Sequence, residues 1–226
     1  MIEPAASPAG PLPPSEATES LQPDDARVAA RWSYELLEPM SGADWTRRAG
    51  DLDWDCRHTL EHLVYALDHY SLFLATPSPE NPPRARNSYP DLSNGELLVI
   101  MQRRAAVLAA VATAAAPTAR GFHNWGQPDP SGYIAMACVE ILLHTDDIGR
   151  GWGQTWQPPD ALCRRALGRL FPWAPTAVDP WSALRWATGR QTLPGYADTP
   201  ADWAWHASPL AEWDGTTRTR GSYAVR

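Results

Sequence analysis

The sequence predicts an all-α bundle of four main helices, followed by a short Trp-rich C-terminal extension. Three observations carry this. Several long segments repeat apolar residues at the helical period between capping and breaking residues. No segment shows the alternation of a convincing strand. The stretch from Leu193 to Arg226 is instead short and rich in turn residues, with Trp203, Trp205 and Trp213 among Gly and Pro. Helices in series with no sheet to cover close on one another around a single core.

Residues 1–22 are rich in Pro, Ala, Ser and Glu and read as a disordered tail. The bundle is expected over 23–155 and the extension over 156–226. A first helix runs from Asp24 or Asp25 to near Glu38, with Ala29, Trp32, Leu36 and Leu37 inward. After a loop through Trp45 and Gly50, a second begins near Asp53 to Asp55. An acid caps it, with more acid expected in its first turn, and it ends near Ala75 before Pro77. It carries two stripes: Leu60, Leu63, Val64, Leu67, Ser71 and Leu74, and, roughly opposite, His58, His62 and His69. Ser93-Asn94-Gly95-Glu96 reads as a capping box opening a third helix that Pro117 terminates. Asp129 as cap and Pro130 at the first helical position open a fourth, which reaches Arg150. Shorter helices are expected near 159–170 and 180–188.

The 226 residues suffice for one sizeable domain, and 44% apolar content is ordinary for a globular chain. A net charge of −7 without an Arg-rich patch argues against nucleic acid as a partner. All 19 basic residues are Arg, so Schiff-base chemistry and a P-loop lysine are excluded. Neither a signal peptide nor an apolar run long enough for a membrane is read. Cys56, Cys138 and Cys163 form no CxxC pair and fit reduced thiols, hence a cytoplasmic protein. Of twelve Trp, nine lie at or after Trp125.

Chemistry concentrates in Val139-Glu140-Ile141-Leu142-Leu143-His144. Glu140 and His144 stand one turn apart on one face of a helix that is otherwise apolar nearly all round, and such a helix belongs inside. A buried carboxylate needs a partner: a metal ion, its neighbouring histidine, or an arginine. The second helix supplies further candidates in His58, His62 and His69. Three nitrogen or oxygen ligands with one open position make a catalytic rather than a structural metal site.

The run Trp54-Asp55-Cys56-Arg57-His58-Thr59-Leu60-Glu61-His62-Leu63 resembles the start of the second helix in DinB-like proteins, specifically the mycothiol-dependent maleylpyruvate isomerase group. There a Trp and an Arg precede a His-Leu pair. Glu140-Ile141-Leu142-Leu143-His144-Thr145-Asp146-Asp147 is similar to that group's later helix, where Glu-x-x-x-His precedes Trp-Asp; here Asp146 replaces the Trp. The resemblance spans roughly residues 25–155. It implies a four-helix bundle holding one divalent metal through His62, Glu140 and His144. Zinc is the usual ion, and nickel or iron(II) has similar ligand taste. It further implies a thiol cosubstrate, often mycothiol, whose pKa the metal lowers and whose thiolate attacks a small electrophile. The region from 156 onward, including Trp203-Ala204-Trp205-His206, resembles an extension of some relatives, with no chemistry assigned.

Other residues have narrower expectations. His58 is expected to support or line the pocket, and His69 to lie at the surface or pocket rim. His123, in Phe122-His123-Asn124-Trp125, is a candidate to reach a substrate. Trp125 and Trp152 flank the fourth helix and are candidate cleft walls. Arg57 and Asp147 are candidates to pair across the two ligand helices. Cys56 and Cys138 read as buried small residues. Two rivals to a thiol transferase or isomerase stand. One is a non-catalytic metal- or small-molecule-binding bundle. The other is a zinc peptidase, because His58-Thr59-Leu60-Glu61-His62 fits H-x-x-E-H, with Glu61 as base. The expected partner is a small molecule, with no membrane, and the chain a monomer or homodimer.

Overall fold

The computed structural model describes residues 20–83 and 88–223. The expected disordered tail falls almost wholly outside them. Six helices follow one another: α1 (Asp25–Leu37), α2 (Cys56–Ala75), α3 (Asn94–Ala114), α4 (Pro130–Arg150), α5 (Asp160–Leu170) and α6 (Pro180–Ala187). Among the described residues there is no strand, only isolated bridges.

Local chemistry sets the helix starts. Asp55 caps α2 by accepting the His58 N–H. Ser93 and Glu96 close the expected capping box on α3. Asp129 accepts the Gly132 N–H ahead of Pro130 on α4, and Asp179 does the same for Ser182 on α6. The further acid expected in the first turn of α2 is absent, because the helix starts at Cys56 and both Asp53 and Asp55 precede it. On α1 the buried line is Ala26, Ala29, Ala30, Ser33 and Leu37, while Trp32 and Leu36 lie at its margins. The helix packs against both α3 and α4, and its buried positions before Leu37 carry small side chains at Ala26, Ala29, Ala30 and Ser33.

α1 to α4 form the bundle, α5 packs on α4, and α6 on α5. That arrangement encloses α4 from every side. Each residue from Gly132 to Gly149 is buried except Glu140. One apolar cluster runs through all six helices and reaches Trp205 and Ala207 of the extension. A fully buried leucine here contributes about 1.5–3 kcal/mol. α3 corrects the reading that no apolar run could span a membrane. Its 21 residues reach a mean hydropathy of 1.6 over the most apolar window. Its inner stripe of Leu97, Leu98, Met101, Ala105 and Leu108 is nevertheless buried in the bundle, and Arg104 pairs with Asp68 of α2 at 2.6 Å.

The three cysteines are free and buried. Burial pushes the Cys56 thiol up to about 11, Cys163 to about 12, and Cys138 well above its ordinary value. None of them is a ready nucleophile.

Arg169 of α5 ties the extension to the bundle. It donates to Asp129 Oδ1 (2.8 Å), Ser131 Oγ (2.8 Å) and the carbonyls of Ala207 (3.0 Å) and His206 (3.3 Å). The approach is close enough that a Cβ on Gly132 would fall 2.7 Å from both the Ala207 carbonyl and Arg169. Burial would raise the Asp129 carboxyl, but Arg169 and the cap hydrogen bonds hold it below its ordinary value. A depressed folded value contributes stability above the unfolded pKa, and that stability is lost as pH falls through the folded one. Thermal melts should therefore show wild type more stable than Asp129→Asn at pH 6. The gap should narrow as pH drops below the usual aspartate range near 4.

Candidate metal centre

Glu140 is the one side chain in the middle of α4 that is not fully enclosed, and it faces α2. Its Oε2 lies 3.1 Å from His144 Nε2 and 3.4 Å from His62 Nε2. Its other oxygen accepts the Tyr70 hydroxyl at 3.3 Å. The His62 and His144 rings stand perpendicular, with centroids 5.2 Å apart. One ligand atom from each of His62, Glu140 and His144 lies within 4.8 Å of the others.

This donor set fits a divalent cation. Ligand atoms about 2.0–2.1 Å from a tetrahedral ion stand about 3.3–3.4 Å from one another, close to the separations here. The hydrogen-bond pattern agrees. His144 Nδ1 lies 3.0 Å from Asp147 Oδ2, so Nδ1–H donation to Asp147 turns the Nε2 lone pair toward the Glu140 oxygen. Two acceptors at that range repel unless a proton or a cation lies between them. Burial opposes charge on Glu140, yet its hydrogen bonds with His144 and His62 hold its carboxyl well below the usual range. Burial likewise lowers His144, but Asp147 and Glu140 outweigh it and push the imidazole above its ordinary value.

Above these residues opens a cavity of about 440 Å³. Leu52, Asp53 and Trp54 line it from the loop before α2, Trp125 from the loop before α4, and Val139 and Leu143 from α4. Arg190, Trp203, Trp205 and Arg220 complete it from the extension. Arg220 reaches the wall because residues 202–204 run antiparallel to 218–220, joined by the Ala204 N–H to Arg218 O bond and the Arg220 N–H to Asp202 O bond. A roomier cleft of about 630 Å³, between residues 21–24 and the ends of α3 and α4, offers Asp24 and Asp129 but no imidazole or thiol. Donor chemistry thus singles out the smaller cavity.

Residues 26–149, more than half of the chain, match the mycothiol maleylpyruvate isomerase N-terminal domain family. The chain belongs to that family. Its all-helical architecture is that of a DinB-like bundle, as the two motifs implied. No curated protein and no solved structure matches the chain significantly. The family match ends at Gly149, so the four wall residues of the extension lie beyond it.

The remaining candidates are distributed as follows. Trp125 is in the wall. His123 packs against Trp125 and Trp205, and its Nδ1 accepts the Trp125 backbone N–H. His58 stacks on Trp54 at 4.8 Å, and Trp54 also covers His62 at 4.9 Å. His69 is buried rather than at the surface or rim, with Nδ1 on the Tyr65 carbonyl and its ring against Tyr65 and Phe73. Trp152 packs edge-on against Trp45 instead of lining the cleft. The expected Arg57–Asp147 pair does not form. Arg57 bonds Glu61 and the carbonyls of Tyr89 and Leu92, whereas Asp147 takes Arg150 and Arg190. With Glu61 held by Arg57 and His58 on Trp54, the H-x-x-E-H pattern brings neither its base nor its first histidine to the cluster. The cluster therefore lends the peptidase reading no support.

Proposed function

We propose that this protein is a divalent-metal enzyme that uses a low-molecular-weight thiol, of the mycothiol kind, to transfer to or isomerise a small electrophile. The observation carrying the proposal is the convergence of His62, Glu140 and His144 on the floor of an open cavity. Structural zinc sites close on four protein ligands; three ligands beneath a cavity leave a position for a reactant. A bound divalent ion, zinc foremost and nickel or iron(II) by the same donor logic, supplies Lewis acidity that lowers the pKa of a thiol or water there.

The chain's own groups do the rest. Tyr70 holds Glu140 Oε1 and leaves Oε2 to the site. Trp54, Trp125, Trp203 and Trp205 exclude water from the walls, which strengthens every charge interaction inside. Arg220 offers a guanidinium to an anionic group of the substrate. For an activated alkene, sulfur adds to one alkene carbon, the resulting single bond rotates, and the carbon–sulfur bond breaks again. The thiol is returned and the isomer released. The three unpaired cysteines support a reducing, cytoplasmic setting.

The test is turnover. Metal-loaded protein is incubated with thiols paired with α,β-unsaturated acids and epoxides, and products are followed by mass spectrometry. Adduct or isomer formation that requires both thiol and metal, and disappears in Glu140→Gln, is the expected result. A chain that holds its metal but converts no pair would overturn the enzyme reading and favour a non-catalytic binding bundle.

A further inference from the structure

Asp147 is wholly buried, and both its oxygens are spoken for. Oδ2 faces His144 Nδ1 at 3.0 Å. Arg190 grips the same carboxylate with two parallel bonds, Nε to Oδ1 at 3.1 Å and Nη2 to Oδ2 at 2.7 Å. Arg150 adds Nη2 to Oδ1 at 2.7 Å. Arg150 lies on α4 itself, three residues from Asp147. Arg190 does not: it comes from the extension, just past the end of α6. There Gly189 takes a left-handed turn (φ 68°) that a side chain would strain, and the Arg190 N–H returns to the Arg185 carbonyl.

We propose that Arg190 is a positioning residue of the metal centre, acting on His144 through Asp147. The proposal rests on the metal reading above and extends it to a residue beyond the family match. A two-point guanidinium grip fixes the plane of a carboxylate, where a single contact leaves it free to rotate. A fixed Asp147 fixes which nitrogen of His144 carries the proton and where the ring points, so Nε2 remains the ligating atom. The extension therefore belongs to the centre as well as to the cavity wall. Without it, Asp147 would keep only the contact with Arg150 beside the histidine.

The experiment uses the full chain and cobalt(II), whose visible spectrum reports ligand geometry. Wild type, Arg190→Gln, Arg190→Lys and Arg185→Gln are compared for cobalt affinity, by competition with a chromogenic chelator, and for band shape. Arg185 faces Asp146 instead, at 3.6 Å, and serves as the control for loss of a buried ion pair nearby. Arg190→Gln should bind cobalt about 10–100-fold more weakly and show altered bands. Arg190→Lys, which keeps charge and loses the two-point grip, should also weaken binding, by less. Arg185→Gln should match wild type in both readouts. If Arg190→Gln does not fold, Arg190→Lys decides. A folded Arg190 variant with wild-type affinity and bands overturns the relay alone, whereas a wild type that takes up no cobalt overturns the metal reading and the relay together.

Discussion

His144→Ala is expected to purify without metal, whereas wild type carries one divalent ion per chain by elemental analysis. The substitution removes one of the three candidate ligand atoms and leaves Asp147 without the imidazole it contacts. Loss of an outer partner of a metal ligand typically costs about 10–100-fold in affinity, so loss of the ligand itself should exceed about 100-fold. His62→Ala and Glu140→Gln should behave alike, because each contributes one atom to the same cluster. His58→Ala should keep its ion, since that ring stacks on Trp54 outside the cluster. Stability gives an independent readout. An ion present at about a thousand times its dissociation constant adds about 4 kcal/mol to the folded state. Chelation should accordingly lower the wild-type melting temperature by about 8–16 °C and leave His144→Ala unmoved. Metal retained by His144→Ala, or lost equally from His58→Ala, would dismantle the assignment.

The parts of this centre that could be read in the sequence are those set by local spacing. Glu140 and His144 lie one helical turn apart in a run so apolar that the helix had to be internal, and α4 is buried from Gly132 to Gly149 except at Glu140. The caps at Asp55, Ser93 and Asp129 are equally local, and so the helix starts were legible. His62 was harder, because three histidines shared its helix. His69 falls in line with His62 when viewed down the axis, yet it sits about 10 Å further along and cannot join the cluster. Tyr70 lies about 80° around the helix from His62, so a stripe drawn through the histidines passes it by. Arg190, Trp203, Trp205 and Arg220 left no signal of this sort. Nothing periodic relates them to Glu140; only the packing of α5 and α6 and the fold-back of the last turns bring them to the cavity. The same limit explains Arg57 and Asp147. Both sit on the helices that carry the candidate ligands, but each finds nearer partners, at residues 89–94 and in the extension.

Arg169→Ala should cost about 3–5 kcal/mol, the price of breaking a buried ion pair from one side. In a chain of this size that lowers the melting temperature by about 6–20 °C. Arg169 has only 7% of its side chain exposed, and its four contacts join α5 to the cap and start of α4 and to the later part of the extension at His206 and Ala207. Truncation leaves the Asp129 carboxylate with its helix-cap donors alone, and two buried carbonyls without this guanidinium. Arg169→Lys keeps the charge but cannot span all four acceptors, so it should recover only part of the loss. Metal content separates this effect from that of His144→Ala. The three candidate ligands sit on α2 and α4, whose mutual packing does not pass through Arg169. A folded Arg169→Ala protein should therefore keep its ion while losing stability. Its residual damage should fall on the cavity wall, where Trp205 immediately precedes the segment Arg169 holds. Fluorescence quenching of the buried indoles by acrylamide would register that loosening. An Arg169→Ala chain that melts like wild type would show that the extension is held by its apolar packing and not by this guanidinium.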